Sequence, residues 1–273
     1  MENIKNMERK VLVSVAPVAA TDKVIIPEKI AADVLECYKA GAAMVHLHVR
    51  DEKGNLTPDM GLLEETLRLI RKDSDIIIEV STGGVSNLTI EERCAPLYSD
   101  LVEACSLNVG STNLGKAVYA NPLDDVEYCI REILKQKKTP EVETFEIGHT
   151  WTMVQMMKKY SFTDPVLFSI VLGHEGEAPA TPEALAAMIQ MIPAGALWGI
   201  THAHRTDFSL IAGALGMGAK TVRIGFEDSN YLDSETQVQT NAPLVEKTVN
   251  LLQAMDKAAM TPAEARAFFR INQ

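Results

Sequence analysis

Eight apolar, β-rich runs recur along the chain, with a helical pattern between successive runs, and this alternation limits the fold more than any other feature. The runs are VLVSVAPV from Val11, MVHLHVR from Met44, DIIIEVS from Asp75, EACSLNV from Glu103, EVETFEI from Glu141, VLFSIVL from Val166, LWGITHA from Leu197 and TVRIGFE from Thr221. Helices are expected at PEKIAADVLECYKAG, with Pro27 in the first turn and Gly41 at the end, and at LLEETLRLIRK, TIEERCAPLYS, DDVEYCIREILKQKK, TPEALAAMIQMI and SLIAGALGMG. The pattern is weakest around Thr152–Tyr160, and a long stretch from Val238 to Phe269 follows the eighth run. No linker, low-complexity segment or repeat interrupts the series. The expectation is an α/β fold: a single (β/α)8 TIM barrel over residues 1–273 with a C-terminal helical extension. A doubly wound sheet would normally carry a glycine-rich turn after its first strand, and here that turn reads PVAATDK.

Composition narrows the partners. A chain of 273 residues with 47% hydrophobic residues buries a large core without staples. Its net charge of −11 argues against a nucleic-acid surface, although a local cluster of donors can still hold an anionic ligand. Cys37, Cys94, Cys105 and Cys129 are scattered without CxxC spacing and read as reduced core thiols. The stretch VLVSVAPVAA is too short and interrupted for a signal or membrane-spanning segment. The expectation is a soluble, cytoplasmic protein with neither nucleic-acid nor membrane partners.

Barrels carry their chemistry at the C-terminal ends of the strands, and polar residues concentrate there. In MVHLHVR, His46 and His48 share one face of the second strand while Val45, Leu47 and Val49 take the other. A single strand histidine is usually a hydrogen-bonded structural residue, whereas two converging imidazoles suit zinc and similar metals. Glu227, at the end of the eighth strand, is a neighbour of the second strand's end in a closed barrel. It completes a two-histidine, one-carboxylate set with open positions. His202 and His204 form a second such pair on strand seven. Without a carboxylate of comparable placement, they read as substrate-contacting or supporting histidines.

Other strand ends stay open to two readings. Ser81, Thr82, Gly83 and Gly84 make either a tight turn or a cradle for an anionic oxygen. Arg223 and Asp228 are either a structural ion pair or a carboxylate-holding arginine beside a proton-moving aspartate, and adjacency to Glu227 favours the second. Glu143 is either a barrel-interior salt-bridge member or an active-site carboxylate.

Taken in order, AGAAMVHLHVRD, IIIEVSTGG, SLNVGSTNLG, PEVETFEIG, VLG and RIGFED closely resemble the β-keto acid cleavage enzymes, from Val11 to the TPAEAR helix. The resemblance implies a zinc-dependent barrel with one zinc per chain that takes a β-keto acid and acetyl-CoA, releasing acetoacetate and a new acyl-CoA. It also implies a homo-oligomer, specifically a tetramer. It places the metal ligands on His46, His48 and Glu227, and the catalytic groups on Arg223, Asp228, Ser81 and Glu143. A hydroxyl residue of the fourth strand falls on Ser106, and Ser106 with Asn108 would help to hold the carboxylate. Two regions depart from the family pattern. APVAATDK lacks the glutamate that pairs with an ammonium in the aminohexanoate enzyme, and THAHRTDFS with GHEGEAP replaces glycine-rich turns. A substrate with a cationic tail is therefore disfavoured, and His174, His202, His204 and Arg205 are expected to supply donors to a neutral or anionic one. The alternatives are a metal-dependent hydrolase, a CoA-independent carbon–carbon lyase, or a barrel that only binds a small carboxylate.

Overall fold

A computed structural model of the chain describes residues 7–271. Eight parallel strands form the barrel: β1 (Lys10–Val15), β2 (Met44–Leu47), β3 (Ile77–Val80), β4 (Ala104–Asn108), β5 (Thr139–Thr144), β6 (Leu167–Leu172), β7 (Leu197–His202) and β8 (Thr221–Ile224). Each pairs with the next, and β8 pairs back with β1, so no edge is left open. A helix follows each strand: α1 (Pro27–Ala40), α2 (Gly61–Asp73), α3 (Ile90–Arg93), α4 (Leu123–Lys135), α5 (Ile147–Lys159), α6 (Pro182–Met191), α7 (Ser209–Gly216) and α8 (Ala242–Ala254). This is the TIM-barrel fold.

Period-two alternation divides the strands between two environments. Val13, Val15, Val45, Leu47, Ile78, Val80, Val142 and Phe168 point outward and pack with Val34, Leu67, Ile70 and Ile130 of the helices. The inward positions begin with an apolar floor of Leu12, Met44, Ile77, Ala104 and Leu167. One step toward the C-terminal ends they turn polar and buried: Ser14, His46, Glu79, Ser106, Glu141 and Arg223. The floor is closed from below by the C-terminal extension. There β9 (Ala258–Ala259) adds in parallel to β1, and α9 (Pro262–Phe269) packs Ala265 and Phe269 beside Met260.

Four details differ from the sequence expectation. Pro96 limits α3 to one turn, capped by a reciprocal Thr89/Glu92 box, and Ala95–Tyr98 continues as a 3-10 turn. β5 stops at Thr144, and α5 starts at Ile147, so Glu146 is a helix N-cap rather than a strand-end residue. A hairpin, Thr112–Leu114 with Ala117–Tyr119, turns at Gly115 in the loop after β4. The extension is two helices separated by a short strand.

Candidate active site

The C-terminal ends of the strands open into a cavity of about 1000 Å³. His46, His48, Arg50, Ser81, Glu143, Arg223 and Glu227 line its base. His46 points inward because it keeps the parity of Met44 on the barrel floor, and His48 follows one step beyond the strand end. Their rings lie 5.2 Å apart at 74°. Glu227 reaches them from β8, with Oε1 3.3 Å from His48 Nε2. One donor atom each from His46, His48 and Glu227 falls within 4.8 Å of the others, a spacing that one ion can bridge.

A carboxylate that the strand-end reading passed over fixes His46. Glu79 sits opposite it in register and its Oε2 is 2.9 Å from His46 Nδ1, which leaves Nε2 as the free ligand atom. Glu79 is fully buried, and burial pushes its carboxyl up to about 7. Glu141 beside it is raised well above the usual carboxylate range, by burial first and then by the Glu79 charge. Burial would also raise Glu227, but His48, Arg223 and His46 together outweigh it and hold Glu227 well below its ordinary value. Burial lowers His48 against the opposing pull of Glu227, which favours the neutral ring that a metal ligand must be. Three carboxyl groups, Glu143, Glu227 and Asp228, crowd the one guanidinium of Arg223, an excess of acidic groups that a divalent cation held beside Glu227 would offset.

Arg223 is the hub of that cluster. Its Nη1 donates to Glu143 Oε1 at 2.6 Å, its Nη2 donates to Asp228 Oδ1 at 3.2 Å, and Glu227 Oε1 lies 3.6 Å from the same nitrogen. Glu227 and Asp228 are adjacent, and both reach Arg223 because the strand ends at Ile224 and the chain turns: the Asp228 and Ser229 amides donate to the Gly225 carbonyl. Gly225 makes the turn at φ 134°, where a Cβ would stand 2.2 Å from the Ala16 carbonyl oxygen. Asp228 is buried behind Arg223 rather than on the cavity wall, and burial raises its carboxyl.

The STGG segment shows a layered arrangement. Ser81 and Gly84 line the cavity, whereas Thr82, Gly83, Ser106 and Asn108 stand one layer back. Ser106 ties β4 to β3: its hydroxyl accepts the Thr82 amide at 3.2 Å, and its carbonyl accepts the Thr82 hydroxyl at 2.7 Å. At Gly83 a Cβ would lie 1.5 Å from the Tyr119 hydroxyl and 2.7 Å from Asn108 Nδ2, so only glycine fits. Asn108 is buried with neither amide atom paired. Tyr119, brought over the cavity by the hairpin, joins Phe145 and His174 as an aromatic wall.

The HAH pair does not converge. His202 has the outward parity of Trp198 and Ile200 and stays off the cavity, while the turn at His204 (φ 56°) swings that ring in, 5.4 Å from His174. Arg205 also turns away: its guanidinium donates to the Tyr231 and Ser229 carbonyls and stacks on Phe208 at 4.2 Å. Of the four expected donors, His174 and His204 face the cavity.

Comparison with known proteins agrees with this geometry. The profile of the beta-keto acid cleavage enzymes matches residues 15–271. A 3-keto-5-aminohexanoate cleavage enzyme of Fusobacterium nucleatum is 32% identical over 248 residues, covering 90% of each chain. A 3-dehydrocarnitine:acetyl-CoA trimethylamine transferase of Rhizobium meliloti is 29% identical, covering 98% of this chain and 99% of that one. A 3-oxoadipate:acetyl-CoA acetyltransferase of Cupriavidus necator is 30% identical, covering 84% and 81%. Among solved structures, ObcA with oxaloacetate superposes with a TM-score of 0.78 at 18% identity, covering 90% of this chain and 67% of ObcA, a likeness of fold. With a profile match over nearly the whole length, and HLH, STGG and GFED meeting at one cavity, the chain belongs to the β-keto acid cleavage enzyme family.

Proposed function

We propose that the protein is a zinc-dependent acyl transferase that condenses a β-keto acid with acetyl-CoA, giving acetoacetate and a new acyl-CoA. The observation that carries this reading is the convergence of His46, His48 and Glu227 beside Arg223 in a cavity of about 1000 Å³. Acetyl-CoA is named as co-substrate in two of the relatives described above. Two imidazoles and one carboxylate leave open positions, which suits zinc in a catalytic role. Bound there, the metal supplies Lewis-acid polarisation of the keto carbonyl.

The chain's own groups do the rest. Asp228, held by Arg223 one layer behind the cavity wall, is the base for the C2 proton of the keto acid and receives it through one intervening water; burial raises its carboxyl above that of an ordinary aspartate. C2 then attacks the thioester carbonyl of acetyl-CoA, and the CoA thiolate leaves. The thiolate attacks the original keto carbon, the bond from that carbon to C2 breaks, and the proton returns to the acetoacetate carbanion. Arg223 balances the charge that builds on the substrate, with Glu143 fixing its guanidinium. The Ser81 hydroxyl, on the cavity wall, orients the carboxylate, while the Thr82 and Gly83 amides donate to Ser106 and Ser81 and, with Asn108 packed against Gly83, hold that loop in shape. His204 and His174 meet the acyl portion.

The hydrolytic alternative draws its further ligands from His202 and His204, and His202 faces away. Among the described residues, no helix is long and apolar enough to cross a membrane. The four cysteines are free and buried, in keeping with a cytoplasmic enzyme, and the tetramer is carried over from the family.

Coupled assay of the zinc-loaded protein tests the reaction. Acetoacetate release should require both a β-keto acid and acetyl-CoA; cleavage without the CoA ester would favour a lyase or hydrolase. Glu79 offers a second check. Glu79→Gln keeps an acceptor for His46 Nδ1 but removes the charge, so zinc affinity by chelator competition should weaken ~10-fold or more. Wild-type affinity in that variant would mean that His46 needs no such partner.

A further inference from the structure

The loop after β7 does more than wall the cavity. It brings the His204 ring beside that of His174, and the approach has a visible cause. In the loop after β6, Gly173 takes φ 102°, and a Cβ there would stand 2.6 Å from the Ala203 carbonyl oxygen. The two loops therefore meet backbone to backbone, with the two rings 5.4 Å apart.

The same loop grips the turn after β8 that carries Glu227 and Asp228. The His204 amide donates to the Asp228 carbonyl at 2.8 Å. The Ser229 hydroxyl donates to the Arg205 carbonyl at 2.6 Å and accepts the Tyr231 amide at 3.1 Å. Arg205, only 1% exposed, turns its guanidinium to the backbone carbonyls of Tyr231 and Ser229. Within the turn, the Gly225 carbonyl accepts the Asp228 and Ser229 amides; from outside it, residues 204 and 205 supply these further ties. The grip depends on a backbone shape. His204 lies at φ 56°, in the left-handed region that glycine, asparagine, aspartate and histidine tolerate and β-branched residues do not. In that shape its amide meets the Asp228 carbonyl while its ring meets the cavity.

We propose that His204 is a positioning residue for Asp228: its left-handed backbone, backed by Arg205, fixes the turn that carries the base, while its ring separately meets the acyl portion of the substrate. The assignment rests on the β-keto acid reading above and gives a role to a loop, THAHRTDFS, that departs from the family pattern. Two kinetic constants then report on two parts of one residue. Losing the ring weakens substrate binding and raises KM, whereas loosening the turn misplaces Asp228 and lowers kcat.

Three substitutions in the zinc-loaded full chain separate these parts. His204→Gly and His204→Asn remove the ring and accept a left-handed backbone; His204→Val removes the ring and resists that backbone. All three should raise KM for the keto acid by about tenfold, the scale of one lost polar contact. His204→Val should in addition lower kcat by ~10-fold or more relative to the other two, since a small misplacement of a catalytic group is costly. Amide hydrogen exchange, measured without substrate, should run about tenfold faster over residues 225–231 in His204→Val than in His204→Gly, matching the cost of that backbone shape to a branched residue. Arg205→Lys is the second route should His204→Val fold poorly. It cuts the ties to Tyr231 and Ser229 and leaves the ring in place, so kcat should fall while KM holds. Equal kcat and equal exchange across the three His204 variants would overturn the proposal, as would unchanged kcat in Arg205→Lys. A fall of kcat in His204→Gly to the level of His204→Val would also overturn it and make the ring itself a catalytic group. A wild type that forms no acetoacetate would overturn the acyl-transfer reading, and the exchange measurement would still decide whether residue 204 holds the turn.

Discussion

Replacing His46 and His48 together with alanine is expected to abolish metal binding and turnover while the barrel persists. The wild-type protein should carry about one zinc per chain after loading, as a three-ligand site requires. The double variant should retain almost none, since Glu227 alone is a single monodentate partner at that position. The fold should survive because these rings contribute little of the core. The outward valines, isoleucines and leucines pack against the helices, and the floor is closed by Ala265 and Phe269, far from the ligands in the layering of the barrel. Circular dichroism and elemental analysis on the same sample decide the matter. Full metal content in the double variant would place the ion elsewhere, with His204 and His174 as the next imidazoles to test. His46→Ala alone should behave similarly and also release Glu79 from its histidine partner, leaving that buried carboxyl with only another acid, Glu141, beside it. A modest fall in melting temperature is therefore expected from that single change.

The barrel was legible because its strands are long enough to show parity. MVHLHVR alternates without interruption, so the side on which His46 and His48 lie follows from where Val45 and Leu47 must go. The same counting, carried back along LWGITHA, would have separated His202 from His204: Leu197, Gly199 and Thr201 share the inward parity, and His202 does not. What cannot be counted is the backbone reversal at Ala203–His204, where a positive φ moves one ring across. Asp228 is a similar case, since period two sends it away from Glu227, and only the turn at Gly225 returns it to Arg223.

Glu79 was hidden for a different reason. It lies within IIIEV, below the strand end, where a charged residue reads as an interruption of a core strand rather than as part of a site. Its inward parity with Ser81 was the available signal. Arg50 and the hairpin bearing Tyr119 depend on loop conformation, which period and propensity do not specify. Strand faces could thus be read from the sequence, while the identities of the cavity walls depend on turns.

Asp228→Asn is expected to keep the zinc and lower kcat by ~10²-fold or more, the usual scale for losing a general base. The amide preserves volume and can still accept a hydrogen bond from Arg223, whose link to Glu143 at 2.6 Å is untouched, so the guanidinium should hold its place. The pH profile gives a sharper test than the rate alone. A base must be deprotonated to act, and burial raises Asp228 above the ordinary value of 3.8. Activity of the wild type should therefore fall as pH drops through a limb lying above that value, and the residual activity of the variant should lack this limb. Glu143 provides the contrast, because it lines the cavity whereas Asp228 stands behind Arg223. If Glu143→Gln removes the limb and Asp228→Asn retains it, the proton goes to Glu143, and Asp228 serves to position Arg223. If Asp228→Asn instead loses zinc, the roles of Glu227 and Asp228 are exchanged, and the turn at Gly225 presents its second carboxylate, not its first, to the metal.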